Sequence, residues 1–389
     1  MSVRTGLVGV AAVVSVTAGA LATPALADAP AKDGHRATRQ AMDAAVAAGV
    51  PGVTGQATDK YGTWRGTSGL GDLRTNTPRG DRDRYRVGSI TKTFVATVLL
   101  QLEAEGRLSL DDTVDHWLPG VVTGHGHDGR KITVRQLLNH TSGIYNYTAD
   151  TDFQQTVFGR DGFLKHRYDT WAPGRLVSVA MAHKPDFAPG TSRNYSNTNY
   201  VLAGMVVKKV TGHSYADEIR HRIIEPLHLR ATSLPGTAVT VPRPAGRAYT
   251  KFPDDPDRKT YDVTELNPTI ASSAGEMVSD SADLNRFYSA LLRGRLLPAA
   301  QLAEMKKTVP VSKDEPGLGY GLALMRQKLS CGKELWGHSG GIHGSNTDSV
   351  TTPDGRHTLS FNFNGDWTGD SQAVIEAEFC PKRPEGTRS

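Results

Sequence analysis

The sequence predicts a mixed α/β (α+β) protein, an antiparallel sheet flanked by helices with an inserted, mainly helical domain. Three observations carry this reading. Strand-like alternation occurs near both ends of the 389-residue chain, and apolar residues recur at helical spacing through its middle. No internal repeat or low-complexity linker separates the two textures. A sheet completed by both ends and interrupted by helices accounts for all three. The expected boundaries are 28–88 and 258–389 for the discontinuous sheet domain and 89–257 for the insertion, after a leader at 1–27.

Each element has a local reason. Arg4, an apolar run over residues 6–22 and the small-x-small triplet Ala25-Leu26-Ala27 read as a secretory leader cleaved before Asp28. No basic stop-transfer cluster follows, so secretion without a membrane anchor is expected. Residues 42–48 pattern as a short amphipathic helix, and 53–67 as antiparallel strands turning at 60–62. The apolar run 94–102 predicts a helix ending near Gly106, and 134–138 predicts another. Val201, Leu202, Met205, Val206 and Val210 share a helical face that Gly212 stops. Helical pattern returns at 219–224 and 282–292. Short strands are expected at 319–325, 333–336, 348–351 and 358–363, and a helix at 374–379.

Charge and cysteine content narrow the function. The formal net charge of +5 is small and dispersed, which excludes a nucleic-acid-binding surface. Cys331 and Cys380 are the only cysteines, and an even count in an exported chain favours a disulfide. Closing a loop of about 50 residues, it would stabilise by roughly 2–4 kcal/mol.

Three short segments carry chemistry. In Ser89-Ile90-Thr91-Lys92, residues three apart at the start of an apolar helix share a face, so Lys92 can reach the Ser89 hydroxyl. A desolvated lysine can take a serine proton, and helix N-terminal N–H groups can meet a developing anion. Ser330-Cys331-Gly332-Lys333 has the same pattern but reads as a turn, because Gly332 and the lack of a following apolar run oppose a helix. Tyr195-Ser196-Asn197 places a phenol, able to relay a proton, beside an amide able to bind a substrate amide. Taken alone, the segment better suits an Asn-rich helix cap. In His338-Ser339-Gly340-Gly341 the glycines allow close backbone approach to a ligand, and the Gly341 N–H is a candidate oxyanion donor beside that of Ser89.

The order Ser-x-x-Lys, Tyr-x-Asn, then a basic residue followed by Ser and Gly resembles the penicillin-recognising serine hydrolases. The tyrosine of the second segment is similar to class C β-lactamases, and His338 in place of lysine to secreted D-alanyl-D-alanine carboxypeptidases. Arg86-Val87-Gly88 before the serine and Leu137-Leu138-Asn139-His140-Thr141-Ser142-Gly143 agree with it. The resemblance implies a β-lactamase/transpeptidase-like fold and an acyl-enzyme on Ser89, with Lys92 and Tyr195 sharing acid and base duties. It implies that Asn197, His338, Ser339, Gly340, Gly341 and Arg326 line the substrate site. The expected substrate is a peptidoglycan-type peptide or a small D-amino-acid amide or ester, with D-alanyl-D-alanine carboxypeptidase activity foremost and β-lactamase, amidase or esterase as alternatives. β-Lactams are expected as inhibitors or substrates, and no metal or cofactor is expected.

Two departures qualify the substrate. Met325 stands where carboxypeptidases of this type carry an arginine for the terminal carboxylate, with Arg326 its neighbour on the opposite strand face. Gly341 stands where a hydroxyl residue is expected. A carboxylate that loses a charge-assisted partner forfeits roughly 1.5–3 kcal/mol. If His338 binds substrate as a cation, efficiency falls as pH rises through an ordinary histidine value near 6.5.

Three other readings are weaker. Gly337-His338-Ser339-Gly340-Gly341 matches a nucleophile elbow but lacks the helix that must follow. His125-Gly126-His127-Asp128 hints at a metal site, yet Arg130 stands where a further ligand is needed, and a solvated loop is expected. A catalytically silent cell-wall peptide binder would have shed the serine or its lysine, and both remain.

Overall fold

The computed structural model describes residues 34–312 and 317–380. The expected leader at 1–27 lies outside the described residues. In chain order, α1 (Arg36–Ala47) leads into the hairpin of β1 (Gly52–Asp59) and β2 (Gly62–Asp72), then β3 (Thr77–Pro78). The long helices α2 (Thr91–Ala104), α3 (Asn197–Thr211) and α4 (Ser281–Leu292) follow, separated by short helices and loops. The chain returns through β4 (Val309–Pro310), β5 (Leu318–Tyr320), β6 (Met325–Lys328), β7 (Glu334–Ile342), β8 (Ser345–Thr351), β9 (Thr358–Phe363) and α5 (Ser371–Phe379).

The strands form one antiparallel sheet in the order β4-β5-β6-β7-β8-β9-β1-β2-β3. Val53 of β1 pairs with Phe363 of β9, so the two ends of the chain meet mid-sheet, as the strand pattern requires. This is the expected β-lactamase/transpeptidase-like architecture. One face of the sheet packs against α1 and α5 through Met42, Phe361, Phe363, Val374 and Phe379. A separate, larger core gathers α2, α3 and α4. Ten consecutive residues of α2, from Thr91 to Leu100, are buried, which explains a helix apolar on all sides rather than on one stripe. Phe94 stacks on Phe287 of α4 at 3.7 Å between ring centres.

Gly212 closes α3 in the left-handed conformation, φ 82°, as expected of a glycine after the last helical turn. Cys331 and Cys380 are bonded, tying the β6–β7 turn to the end of α5.

Three expectations are corrected. Residues 319–325 are not one strand: the chain turns at Gly321–Leu324, with Ala323 at φ +57° and the Gly321 N–H donating to Leu324 O, and β5 and β6 pair as a hairpin. The strand expected at 333–336 runs on to Ile342, so His338–Gly341 lies within β7 and forms no elbow. Residues 123–128 are exposed at the turn through His125 and Gly126, as expected of a solvated loop, but they form two short paired strands and His127 is buried.

Candidate active site

A one-turn helix, Gly88–Ile90, delivers Ser89 to the start of α2. The turn before it is held from several sides. The Arg86 carbonyl accepts from Ser345 Oγ at 2.7 Å, and its guanidinium donates to the carbonyls of Val239 and Leu266. Val87 N donates to Met277 O, and Thr91 Oγ1 donates to Gly88 O. Gly88 sits at φ +51°, and a Cβ there would lie 2.8 Å from the Gly341 nitrogen. Glycine is therefore required twice over, by conformation and by the approach of β7. A Cβ on Gly340 would lie 2.0 Å from Val87 O, so the strand and the serine turn touch backbone to backbone.

Lys92 is completely buried one turn after Ser89. Its Nζ lies 2.8 Å from Ser89 Oγ, 2.8 Å from Asn197 Oδ1 and 2.6 Å from Ala274 O. No ion pair engages it among the described residues. Burial drives its pKa well below the usual lysine value, because an unpaired charge in this setting is poorly solvated. Tyr195 lies beside it, with Lys92 Nζ 4.9 Å from the ring centre. Burial pushes the phenol up, against its hydrogen bond with Ser89 and the field of Arg193, which both pull it down. The site thus favours a neutral amine and a neutral phenol around the serine.

A directional hydrogen-bond chain connects this cluster to β7. The Ser196 N–H donates to His140 Nδ1, which fixes the proton on Nε2 facing Tyr320 Oη at 3.2 Å. Tyr320 Oη lies 2.9 Å from His338 Nε2, and His338 Nδ1 lies 2.5 Å from Ser339 O, a carbonyl that can only accept. Both nitrogens of His338 are therefore occupied, Nε2 as an acceptor. Burial, with Lys92 and Arg193 nearby, lowers its pKa to about 3 despite the Ser339 carbonyl. His338 is 3 % exposed, so the neutral ring is favoured, which runs against the conditional expectation of a titrating cation.

Ser339 and Gly341 alternate with His338 and Gly340 along β7 and are exposed. β6 pairs with β7 only from Glu334 to Gly337. From His338 onward the outer edge of β7 carries no strand among the described residues, and it borders the serine turn. Asn197 is brought to the cluster, but its amide oxygen holds Lys92 and its Nδ2 donates to Thr148 Oγ1 at 3.2 Å. Arg326 is not brought in: it stands opposite Trp336 in the ladder, with no hydrogen bond or ion pair to the Ser89 cluster.

Sequence reasoning missed Arg193, Tyr320 and the Ala274 carbonyl. Arg193 stacks over Tyr320, its guanidinium carbon 4.8 Å from the ring centre, and its buried Nε has no hydrogen-bond partner. Its place two residues before Tyr195 was the available signal. A backbone carbonyl that receives a lysine 182 residues away leaves none.

Comparison with known proteins gives concordant matches. The Beta-lactamase family model matches residues 35–375. Penicillin-binding protein 4* of Bacillus subtilis (strain 168) is 28% identical over 324 residues, covering 79% of this chain and 67% of that protein. Penicillin-binding protein 4 of Amycolatopsis lactamdurans is 31% identical over 254 residues, 62% of either chain. The chain thus spans about two thirds of the length of these relatives. A crystal structure of a D-stereospecific amidohydrolase from Streptomyces sp. superposes with a TM-score of 0.86 at 62% identity, covering 90% of this chain and 99% of that one. The D-amino acid amidase of Ochrobactrum anthropi SV3, complexed with L-phenylalanine amide, gives a TM-score of 0.76 at 29% identity, over 89% and 98% of the two chains.

Proposed function

As a member of the Beta-lactamase family, the chain is a serine hydrolase, and we propose that it is a D-stereospecific amidohydrolase working through an acyl-enzyme on Ser89. The likeness to the Streptomyces amidohydrolase over nine-tenths of the chain carries the substrate class. The absence of an arginine at Met325 favours this reading over the D-alanyl-D-alanine carboxypeptidase expected first. β-Lactams, themselves amides, acylate the same serine. The expected leader and the disulfide suit an enzyme released outside the cell.

The geometry supports Lys92 as the base. Asn197 Oδ1 and Ala274 O can only accept, so they take the two N–H groups of a neutral amine. The remaining lone pair meets the Ser89 hydroxyl. Ser89 Oγ attacks the substrate carbonyl as Lys92 takes its proton, and the Ser89 and Gly341 N–H groups receive the oxyanion. Tyr195, kept protonated by burial, gives its proton to the departing nitrogen and recovers one from Lys92. Water then attacks the ester and gives a proton to Lys92, which passes it to Ser89 Oγ as the acid departs.

The test is hydrolysis of D- and L-phenylalanine amide by the mature protein. The D-amide should turn over at least about a hundredfold faster, and Ser89→Ala should lower that activity by about 10⁴. A fluorescent penicillin should label the wild type and Ser339→Ala but not Ser89→Ala. Equal turnover of the two enantiomers, or hydrolysis surviving in Ser89→Ala, overturns the reading.

A further inference from the structure

We propose that an arginine-lined cleft at the start of α4 binds a polyol chain carrying phosphate diesters, at a site separate from the Ser89 cluster. The inference is independent of the amidohydrolase reading.

The cleft encloses about 730 Å³, and Arg82, Arg84, Arg230 and Arg286 line it together with two acids, Asp280 and Asp283. Ser89, Lys92, Tyr195 and His338 take no part in its wall. Segments distant in sequence are fastened together there. The Arg84 N–H donates to Pro244 O at 2.8 Å, and the Arg286 guanidinium donates to His228 O at 2.8 Å. Asp283 accepts from Ala231 N at 2.7 Å and from Thr232 Oγ1 at 2.9 Å.

Both acids are thus spent on structure. Asp283 is 5 % exposed and holds the 231–232 loop against α4, with Arg286 at 3.8 Å. Asp280 caps α4 by accepting from the Asp283 N–H at 2.8 Å. Arg82 and Arg230 are exposed, and among the described residues their side chains form no hydrogen bond or ion pair. Arg84 reaches only the Arg230 carbonyl, at 3.5 Å. Exposed arginines elsewhere do sit beside acids, Arg130 on Asp128 at 2.9 Å and Arg356 on Asp354 at 3.9 Å. One arginine without an acid asks for no ligand. Four converging on one cleft, in a chain whose net charge is only +5, concentrate what the sequence disperses.

The lining also selects the ligand. A guanidinium meets a phosphate through two parallel N–H···O bonds. A diester phosphate has two free oxygens, so four guanidiniums call for consecutive phosphates on one chain. The rest of the wall is Leu227, His228, Ala231 and Pro244, with no phenyl or indole face on which a base could stack. A polyol backbone therefore fits better than a nucleic acid.

The test is fluorescence anisotropy of a labelled glycerol phosphate oligomer with the mature protein at low salt. Arg82→Gln with Arg230→Gln should weaken binding by at least about tenfold and make its salt dependence shallower. Arg130→Gln with Arg356→Gln removes the same charge elsewhere and should change affinity by less than about twofold. All four side chains are exposed, so both double variants should keep the wild-type thermal midpoint. Should the cleft variant unfold, Arg82→Gln and Arg230→Gln taken singly should each weaken binding by about threefold or more. Absence of binding, or an equal loss in the two double variants, overturns the proposal. So does an oligonucleotide of equal charge that binds as tightly, and so does inorganic phosphate competing on equal terms with the oligomer, which would leave a site for one phosphate only.

Discussion

At the seam between α1 and α5, Glu378 is buried with three donors around it. Thr38 Oγ1 lies at 2.6 Å, His35 Nδ1 at 3.0 Å and His357 Nε2 at 2.6 Å. In the cleft, Lys92 is equally buried but surrounded by neutral oxygens. The results are opposite. Burial alone would raise the Glu378 pKa, yet hydrogen bonds from His35, His357 and Thr38 outweigh it and hold the carboxyl near 2, firmly charged. For Lys92 burial acts without opposition and the charged form loses. Burial thus gives a stabilising ion cluster where partners are supplied, and a reactive base where they are withheld.

Breaking the reactive side should have the larger effect. Lys92→Met is expected to lower kcat/KM on a D-amide by about 10³, the scale of a lost general base. In the wild type, activity should rise with pH as the Lys92 ammonium loses its proton, on a limb well below the ordinary lysine value. A pH–rate profile checks both the limb and its loss in Lys92→Met. Because the His338 value lies near 3, no further limb belonging to that ring should appear between pH 5 and 8.

Breaking the stabilising side should cost stability and leave turnover intact. Glu378→Gln should destabilise by ~2–4 kcal/mol, read from denaturant midpoints. The sign follows from the lowered folded value: the stabilisation is complete above the unfolded glutamate value of 4.5 and fades as pH falls toward about 2. His35 runs the other way. Its pKa is raised, chiefly by the Glu378 hydrogen bond, so its share is present below 6.5 and lost as pH rises through the raised value. Wild-type acid unfolding that lacks the first window would refute this account of the seam.

The smallest effect tests the link between cluster and strand. Tyr320→Phe removes the hydroxyl between His140 and His338 and leaves two buried ring nitrogens unpartnered. An unmet buried polar group costs roughly 1–3 kcal/mol, so reduced thermal stability and a loss of activity of about tenfold are expected. An unchanged profile would mean the chain of hydrogen bonds is not what sets β7 against the serine turn.

Much of this was legible in the chain itself. Periodicity placed α2, α3 and α4 and the strand 358–363, because a helix or strand buried on a fixed face writes its period into the sequence. The serine and lysine three residues apart were local for the same reason. Tyr195 and His338 were found through spacing and resemblance, and the structure brings them to the same cleft. Tertiary structure alone decided the charge states. Whether Lys92 is an ammonium depends on Asn197 and Ala274, 105 and 182 residues away, and on the absence of an acid that no local pattern reports. In sequence His338 could be given only an ordinary histidine value; in the fold burial favours the neutral ring, and Tyr320 and the Ser339 carbonyl together occupy its nitrogens. Residue identity and spacing are properties of the chain. Desolvation and partnership are properties of the packed molecule, and the chemistry of Ser89 depends on both.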